Sequence, residues 1–325
     1  MAPGAPPARS ARGACAVGLA GCVLAMGCGG EVVNLGSSEL QAAGASAGGS
    51  PQHVWSLQTE PVLPEQSQLL VASPTLTASL DELFFSAQQR GGAPLPNVTG
   101  IKRVTRSDAG WSAASDVVLG DLEMPDVASP AVAASGTEMW LGLNTRGHTD
   151  IYHTEGQGDV WSTPEAIVEL NSDYDDVPRP PTTVGGLSIM PMSSKRHGAM
   201  PALYQIYLAT RASDAASWSE PSKDLLATVD SDEFQSADGF LDATGLELYF
   251  SSTRAGDHLD SDLYVARRGR VDDAFGEPVP LSDLNDPVAG LRSEERMPWL
   301  SPDGAKLYFV SDHSGQYALY LATKL

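Results

Sequence analysis

Pro298-Trp299-Leu300, answered nine residues after its proline by Leu307-Tyr308-Phe309, is the last of five copies of one pattern. Each copy opens on Pro or Gly, reaches an apolar residue followed by an aromatic or Met, and turns into a hairpin. The others run from Pro74-Thr75-Leu76 to Leu83-Phe84-Phe85, Pro130-Ala131-Val132 to Met139-Trp140-Leu141, Pro180-Pro181-Thr182 to Ile189-Met190, and Gly239-Phe240-Leu241 to Leu248-Tyr249-Phe250. A period of about fifty to sixty residues with strand-like content means that no repeat buries a core alone; each must stack on its neighbours. The expected fold is all-β, a closed ring of sheets.

A third strand follows each pair: Ile101-Lys102-Arg103-Val104, Ile151-Tyr152-His153-Thr154, Ile206-Tyr207-Leu208-Ala209, Leu263-Tyr264-Val265-Ala266 and Leu319-Tyr320-Leu321-Ala322. Alternating apolar and polar positions fit half-buried strands. A fourth strand is expected to open with an aromatic and a small residue, at Trp111-Ser112, Trp161-Ser162, Trp218-Ser219 and Phe275-Gly276. The last repeat stops at Leu325 without a fourth strand, while Val54-Trp55-Ser56 carries that signature with no repeat before it. The N-terminal strand therefore completes the last blade and removes the open edges. This predicts a five-bladed β-propeller of four-stranded antiparallel blades over residues 53–325. An open solenoid is the structural alternative, and a six-bladed ring follows if 171–202 hides further strands.

Leu300-Ser301-Pro302-Asp303-Gly304-Ala305-Lys306-Leu307-Tyr308-Phe309-Val310-Ser311-Asp312, with Leu246-Glu247-Leu248-Tyr249-Phe250-Ser251-Ser252-Thr253-Arg254, resembles the WD-like β-propeller repeat of TolB-type proteins. The match weakens towards the N-terminus, and Leu187-Ser188-Ile189-Met190-Pro191-Met192 departs from the aromatic pattern. TolB pairs its propeller with a separate N-terminal domain for which this chain has no room, so the role of TolB in envelope integrity is not expected of it.

Arg9 and Arg12 precede a small apolar run from Gly13 to Met26, the pattern of a bacterial secretion signal. Cys22 and Cys28 each follow small residues as in lipoprotein processing. Acylation at Cys22 leaves a short apolar region and abandons Val23 to Met26, so Cys28 is the expected lipidated residue and Cys22 the alternative. The reading is a signal peptide over 1–27, a flexible Gly/Ala/Ser tether over 28–52, and an anchored protein of the bacterial envelope, on the periplasmic side of the outer membrane or the cell surface.

The formal net charge is −21. The expected fourth strands and the loops after them hold half of the Asp and Glu residues but only four basic ones, Arg179, Lys223, Arg292 and Arg296. In a meander the loop before strand one and the turn after strand two share a face. Asp126, Asp175, Asp176, Asp232, Glu233, Glu294 and Glu295 before strand one thus face basic residues such as Arg146 and Arg254 after strand two. Blade-linking ion pairs explain the repeated arginines; the surplus acid is the expected interaction surface. It argues against nucleic acid and against contact with an anionic membrane other than through the lipid. It leaves a basic envelope protein or a small ligand as partner of a monomeric domain. No cofactor is expected. Calcium is the one ion the acid suggests, at Asp257–Asp262 or Asn171–Asp176, though neither has EF-hand spacing.

Five-bladed propellers include glycosidases with carboxylates around the channel, which makes a carbohydrate-active enzyme the rival function. That chemistry needs two carboxyl groups. The expected innermost strands carry one ionisable residue, Asp242, and the histidines show neither metal-ligand spacing nor a triad. The expected function is a non-enzymatic binding scaffold.

Overall fold

The computed structural model describes residues 54–63, 69–89, 100–122, 127–145, 147–196, 203–255, 260–285 and 292–325. The secretion signal, the tether, Cys22, Cys28, Asp126, Arg146 and Asp257 to Leu259 lie outside them.

Five small sheets make five blades. β1 (Trp55–Leu57) stands apart from the first of them, which holds β2 (Leu69–Leu76), β3 (Glu82–Gln89), β4 (Gly100–Ser107), β5 (Gly110–Trp111) and β6 (Ser115–Asp116). β7 (Val118–Leu119) leads into the second blade, β8 (Val127–Val132), β9 (Glu138–Asn144), β10 (Thr149–Gln157), β11 (Val160–Trp161) and β12 (Glu165–Ala166), and pairs in parallel with β11. The third blade is β13 (Asp176–Pro178), β14 (Thr182–Val184), β15 (Leu187–Ser194) and β16 (Gln205–Arg211). The fourth is β17 (Ser236–Leu241), β18 (Glu247–Ser252), β19 (Asp262–Arg267) and β20 (Val279–Pro280). The fifth is β21 (Glu295–Leu300), β22 (Lys306–Ser311) and β23 (Ala318–Lys324), completed by β1 in the order β1-β23-β22-β21. The expected closure by the N-terminal strand is therefore present, and the described strands within 171–196, β13 to β15, belong to the third blade rather than to a sixth.

Two expectations about strands need correction. Trp218-Ser219 and Phe275-Gly276 are not in strands, and the fourth strands of the first two blades are two-residue fragments. The repeated small residue instead anchors a tight return. The N–H groups of Ser112, Ser162, Ser219 and Gly276 donate to Thr105, Glu155, Thr210 and Arg267 carbonyls at the ends of the third strands, at 2.7–2.8 Å. In the third blade, strand one does not start at Pro180. It is split into β13 and β14 around Arg179-Pro180-Pro181, both halves pairing with β15, because consecutive prolines donate no ladder hydrogen bonds.

Second strands carry the core, because side chains alternate between the two faces of a sheet. Phe84 packs with Val132, Met139 and Leu141 of the second blade, whereas Leu83 and Phe85 pack with Tyr308 and Phe309 of the fifth. Trp140 faces Met190 and Tyr207, and Phe250 faces Ile189 and Ile206. Each interface is thus a slab of aromatic and aliphatic residues from two adjacent blades.

Candidate functional site

All five innermost strands break their ladder at the same height on the axis. Register shifts fall between Ala72 and Thr75, Ala128 and Ala131, Ala237 and Phe240, and Arg296 and Trp299. At each break one residue other than glycine takes a left-handed backbone: Ser73 (φ 48°), Ser129 (54°), Asp238 (59°) and Met297 (55°). Arg179, before Pro180-Pro181, fills the equivalent place in the third blade. Such bulges re-aim a side chain, and the conformation costs about 1–3 kcal/mol per residue, so the surrounding contacts must hold it.

Those contacts run from blade to blade. Ser73 Oγ meets Ser129 Oγ at 3.3 Å, and Ser73 N–H lies 2.9 Å from Met297 Sδ. Ser129 N–H donates to Ser86 Oγ and Asp238 N–H to Ser193 Oγ. Arg179 Nη2 reaches from the third blade to the Pro298 carbonyl of the fifth, at 2.6 Å. The Arg179 side chain is wholly buried, and its Nε has no partner. Burial pulls its guanidinium below the usual arginine range, and the charge of Asp238 opposes that shift. Asp238 in turn accepts Ser251 Oγ at 3.0 Å.

Two cavities adjoin this region, and the larger of them draws on all five blades. One, about 310 Å³, is lined by Ser73, Ser129, Arg296, Met297 and Tyr317. The other, about 370 Å³, opens among the turns that join strands one and two, and its walls include Trp140, Pro180, Pro181, Phe240 and Trp299. Phe240 and Trp299 have ring centroids 5.7 Å apart. Its polar wall includes Arg211, whose guanidinium lies over both Trp140 and Trp218 and 3.7 Å from Glu138. A concave, largely apolar cup carrying a few aromatic rings and fixed polar groups is the usual form of a small-ligand site.

The residues expected on the acidic rim meet different fates. Asp176 and Glu295 are wholly buried, so neither presents charge to a partner. Asp176 accepts Arg196 Nη2 at 2.8 Å and the N–H and hydroxyl of Ser172. Glu295 accepts the hydroxyls of Ser293 and Ser311. Asp175 pairs with Lys195 at 2.7 Å, and Glu294 with Arg296 at 3.1 Å and Tyr317 Oη at 2.6 Å. Asp232 and Glu233 are exposed, with Gln205 Nε2 on Asp232. Arg254 meets none of these acids. It donates to the Thr228 and Val229 carbonyls and lies over Phe250 and Tyr264. In Asn171–Asp176, the stretch expected to suit calcium, Asn171 bonds to Ile151, Asp175 to Lys195 and Asp176 to Arg196.

Asp242, expected to face the channel, instead caps a turn by accepting the N–H groups of Leu246 and Glu247. The axial ionisable residues are Arg179, Asp238 and Arg296, all placed too early in sequence for strands assumed to begin at Pro or Gly. Their shared position, immediately before the repeated Pro or Gly or one residue earlier, is the signal that marks them.

No family model matches the chain, and no curated protein matches it. Solved structures do. An endo-arabinase from Bacteroides thetaiotaomicron is 16% identical over 82% of this chain and 96% of its own, with a TM-score of 0.54. The catalytic domain of an α-L-arabinofuranosidase of family GH62 from Coprinopsis cinerea is 14% identical over 84% and 97%, with a TM-score of 0.51. A putative TolB from Agrobacterium tumefaciens is 15% identical over 80% and 79%, with a TM-score of 0.43. What this chain shares with the first two is the propeller fold; identities this low say nothing of activity.

Proposed function

We propose that this chain is a non-enzymatic binding propeller of the bacterial cell envelope, held by a lipid on Cys28, whose ligand seats in the aromatic cup. The observation that supports it is the axial layer. Glycoside hydrolysis in its usual form needs two carboxyl groups flanking the bond, roughly 5 to 9.5 Å apart. Among the described residues that layer offers one carboxylate, Asp238, and a serine hydroxyl already occupies it. The cup keeps what binding requires: aromatic faces for a sugar ring, with Arg211 as hydrogen-bond donor. On the opposite face, Asp176 and Glu295 are buried, so among the described residues the expected rim keeps Asp232, Glu233 and the paired Asp175 and Glu294.

The carbohydrate-active reading retains one supporting feature, since Glu138 and Asp214 border the same cup. Both carboxylates lie against the same guanidinium, Asp214 at 3.0 Å and Glu138 at 3.7 Å from Arg211.

The two readings separate in one assay. An array of envelope and plant oligosaccharides is probed with wild type and with Ala134→Trp and Ala243→Trp, exposed turn positions at the mouth of the cup. The expected result is a retained oligosaccharide, at least about tenfold weaker binding in both variants with unchanged melting, and no reducing sugar released. A tenfold loss corresponds to about 1.4 kcal/mol, the scale of a few lost contacts. Release of reducing sugar by wild type would make the protein an enzyme, and a silent array would remove the cup as a sugar site.

A further inference from the structure

Glu138 on β9 and Glu155 on β10 are direct cross-strand partners in the second blade. Two like charges placed opposite each other weaken a sheet, whereas most such positions hold opposite charges or apolar pairs. His153 stands two residues before Glu155 on the same strand, so its side chain leaves the same face. Its Nε2 lies 3.4 Å from Glu138 Oε1 and is buried, yet makes no hydrogen bond. One nitrogen and two carboxylate oxygens, all within 4.8 Å of one another, therefore converge on one point.

From this geometry we propose that Glu138, His153 and Glu155 hold a divalent transition-metal ion, with Zn²⁺ as its representative. An imidazole nitrogen with two carboxylates suits zinc and its neighbours in the first row, and a hard ion such as Ca²⁺ prefers oxygen alone. The surroundings hold two of the ligands in place. The indole of Trp140 lies tilted against the His153 ring at 5.3 Å. Arg211 stands 3.7 Å from Glu138 Oε2, leaving Oε1 turned towards His153. Such outer partners orient first ligands and tune their affinity. Glu155 is exposed, so the third ligand closes on the ion from the solvent side. A groove lined by His153, Glu155, Ser162, Thr163 and Glu165 borders the His153 and Glu155 side of the cluster and leaves the fourth coordination position open to water or to an oxygen ligand from outside. The bound ion also cancels the Glu138–Glu155 repulsion that the sheet otherwise carries.

The test is calorimetric titration of the full chain with ZnCl₂ and, separately, with CaCl₂, after the thiols of Cys15, Cys22 and Cys28 have been alkylated so that they bind no metal. Wild type is expected to take up one Zn²⁺ and no Ca²⁺ at this site. His153→Ala is expected to weaken Zn²⁺ binding by at least about 100-fold, the upper range of what loss of an outer partner alone costs. Glu155→Gln, at an exposed position where folding is not at stake, should weaken it in the same direction. Zn²⁺ uptake equal in wild type and Glu155→Gln, or no uptake by wild type, would overturn the site. Binding of Ca²⁺ in place of Zn²⁺ would overturn the assigned metal class.

Discussion

Asp230→Asn is expected to raise the melting temperature at pH 8 by on the order of 5 °C and to leave it nearly unchanged at pH 4. The reason is a repeated clip that the fourth-strand loops place against the third strands. Asn171 Oδ1 accepts the Ile151 N–H at 2.6 Å while its Nδ2 donates to the Ile151 carbonyl at 3.0 Å. Asn285 does the same to Leu263, at 2.8 and 3.0 Å. In the third blade the residue is Asp230, whose Oδ1 accepts the Ile206 N–H at 3.1 Å and whose buried Oδ2 has no partner. A carboxylate has no proton to give where the two asparagines donate. Only the protonated acid can complete the clip.

Burial pushes the Asp230 carboxyl up to about 7, with the Ile206 N–H, Lys223 and Arg254 acting in the opposite direction. Its value in the unfolded chain is about 3.9, so between about pH 4 and pH 7 the folded state holds a proton that the unfolded state has released. Stability therefore falls as pH rises through that window and levels off above it. The ceiling on the loss is about three pKa units, on the order of 4 kcal/mol, before relaxation and water entry reduce it. Asparagine has no such dependence. Thermal melts of wild type and Asp230→Asn from pH 4 to pH 9 isolate the effect, because every other carboxylate titrates alike in both. Parallel curves would show that Oδ2 is satisfied without its proton.

The same clip shows what could be read from the chain and what could not. Ile167…Leu170-Asn171, Leu226…Val229-Asp230 and Leu281…Leu284-Asn285 form a second repeat. In each the fourth residue donates its N–H to the carbonyl of the first, folding a short turn that delivers the final side chain to the strand. Strand-period hydrophobicity does not find such a motif, because turns and side-chain clips leave no alternation. The ring itself was legible, since strands two and three alternate apolar residues and the unmatched Trp55 could belong only to the last blade. The axial site was not. Pro and Gly read as strand starts, yet here they follow bulge residues in the middle of strands that begin up to five residues earlier, as Leu69 precedes Pro74. Strands that begin at Pro or Gly leave Arg179 and Asp238 outside them and make Asp242, a turn cap, the channel carboxylate. Acidic character misled for a related reason. Charge counted along the sequence does not distinguish the exposed Asp232 from the buried Asp176, which meets Arg196 from the turn after β15.

Trp55→Ala should produce the largest loss of stability of any single change to the closing strand. β1 contributes three residues, paired Trp55 to Lys324, Ser56 to Thr323 and Leu57 to Ala322. Backbone bonds extend the seam on both sides, from Leu325 N–H to the Val54 carbonyl and from Gln58 and Val62 to Leu321 and Leu319. Trp55 also donates its backbone N–H to Asp283 of the fourth blade and buries its ring in the cluster shared by the first, fourth and fifth blades. A buried Trp reduced to Ala costs about 3–5 kcal/mol. At this position the loss has a second consequence, because the short strand that covers β23 has no other buried side chain as large to hold it. Release of β1 turns β23 into an open edge, a template for pairing with another copy. Trp161→Ala separates the two effects. Trp161 is equally buried at the matching place in the second blade, and its loss leaves a cavity without opening the ring. Urea titration followed by tryptophan fluorescence and circular dichroism should show both variants destabilised by several kcal/mol, with light scattering rising on warming for Trp55→Ala well before its unfolding midpoint. A Trp55→Ala protein that melts as a monomer, no more prone to scatter than Trp161→Ala, would mean that the backbone seam from Val54 to Val62 closes the ring without its anchor.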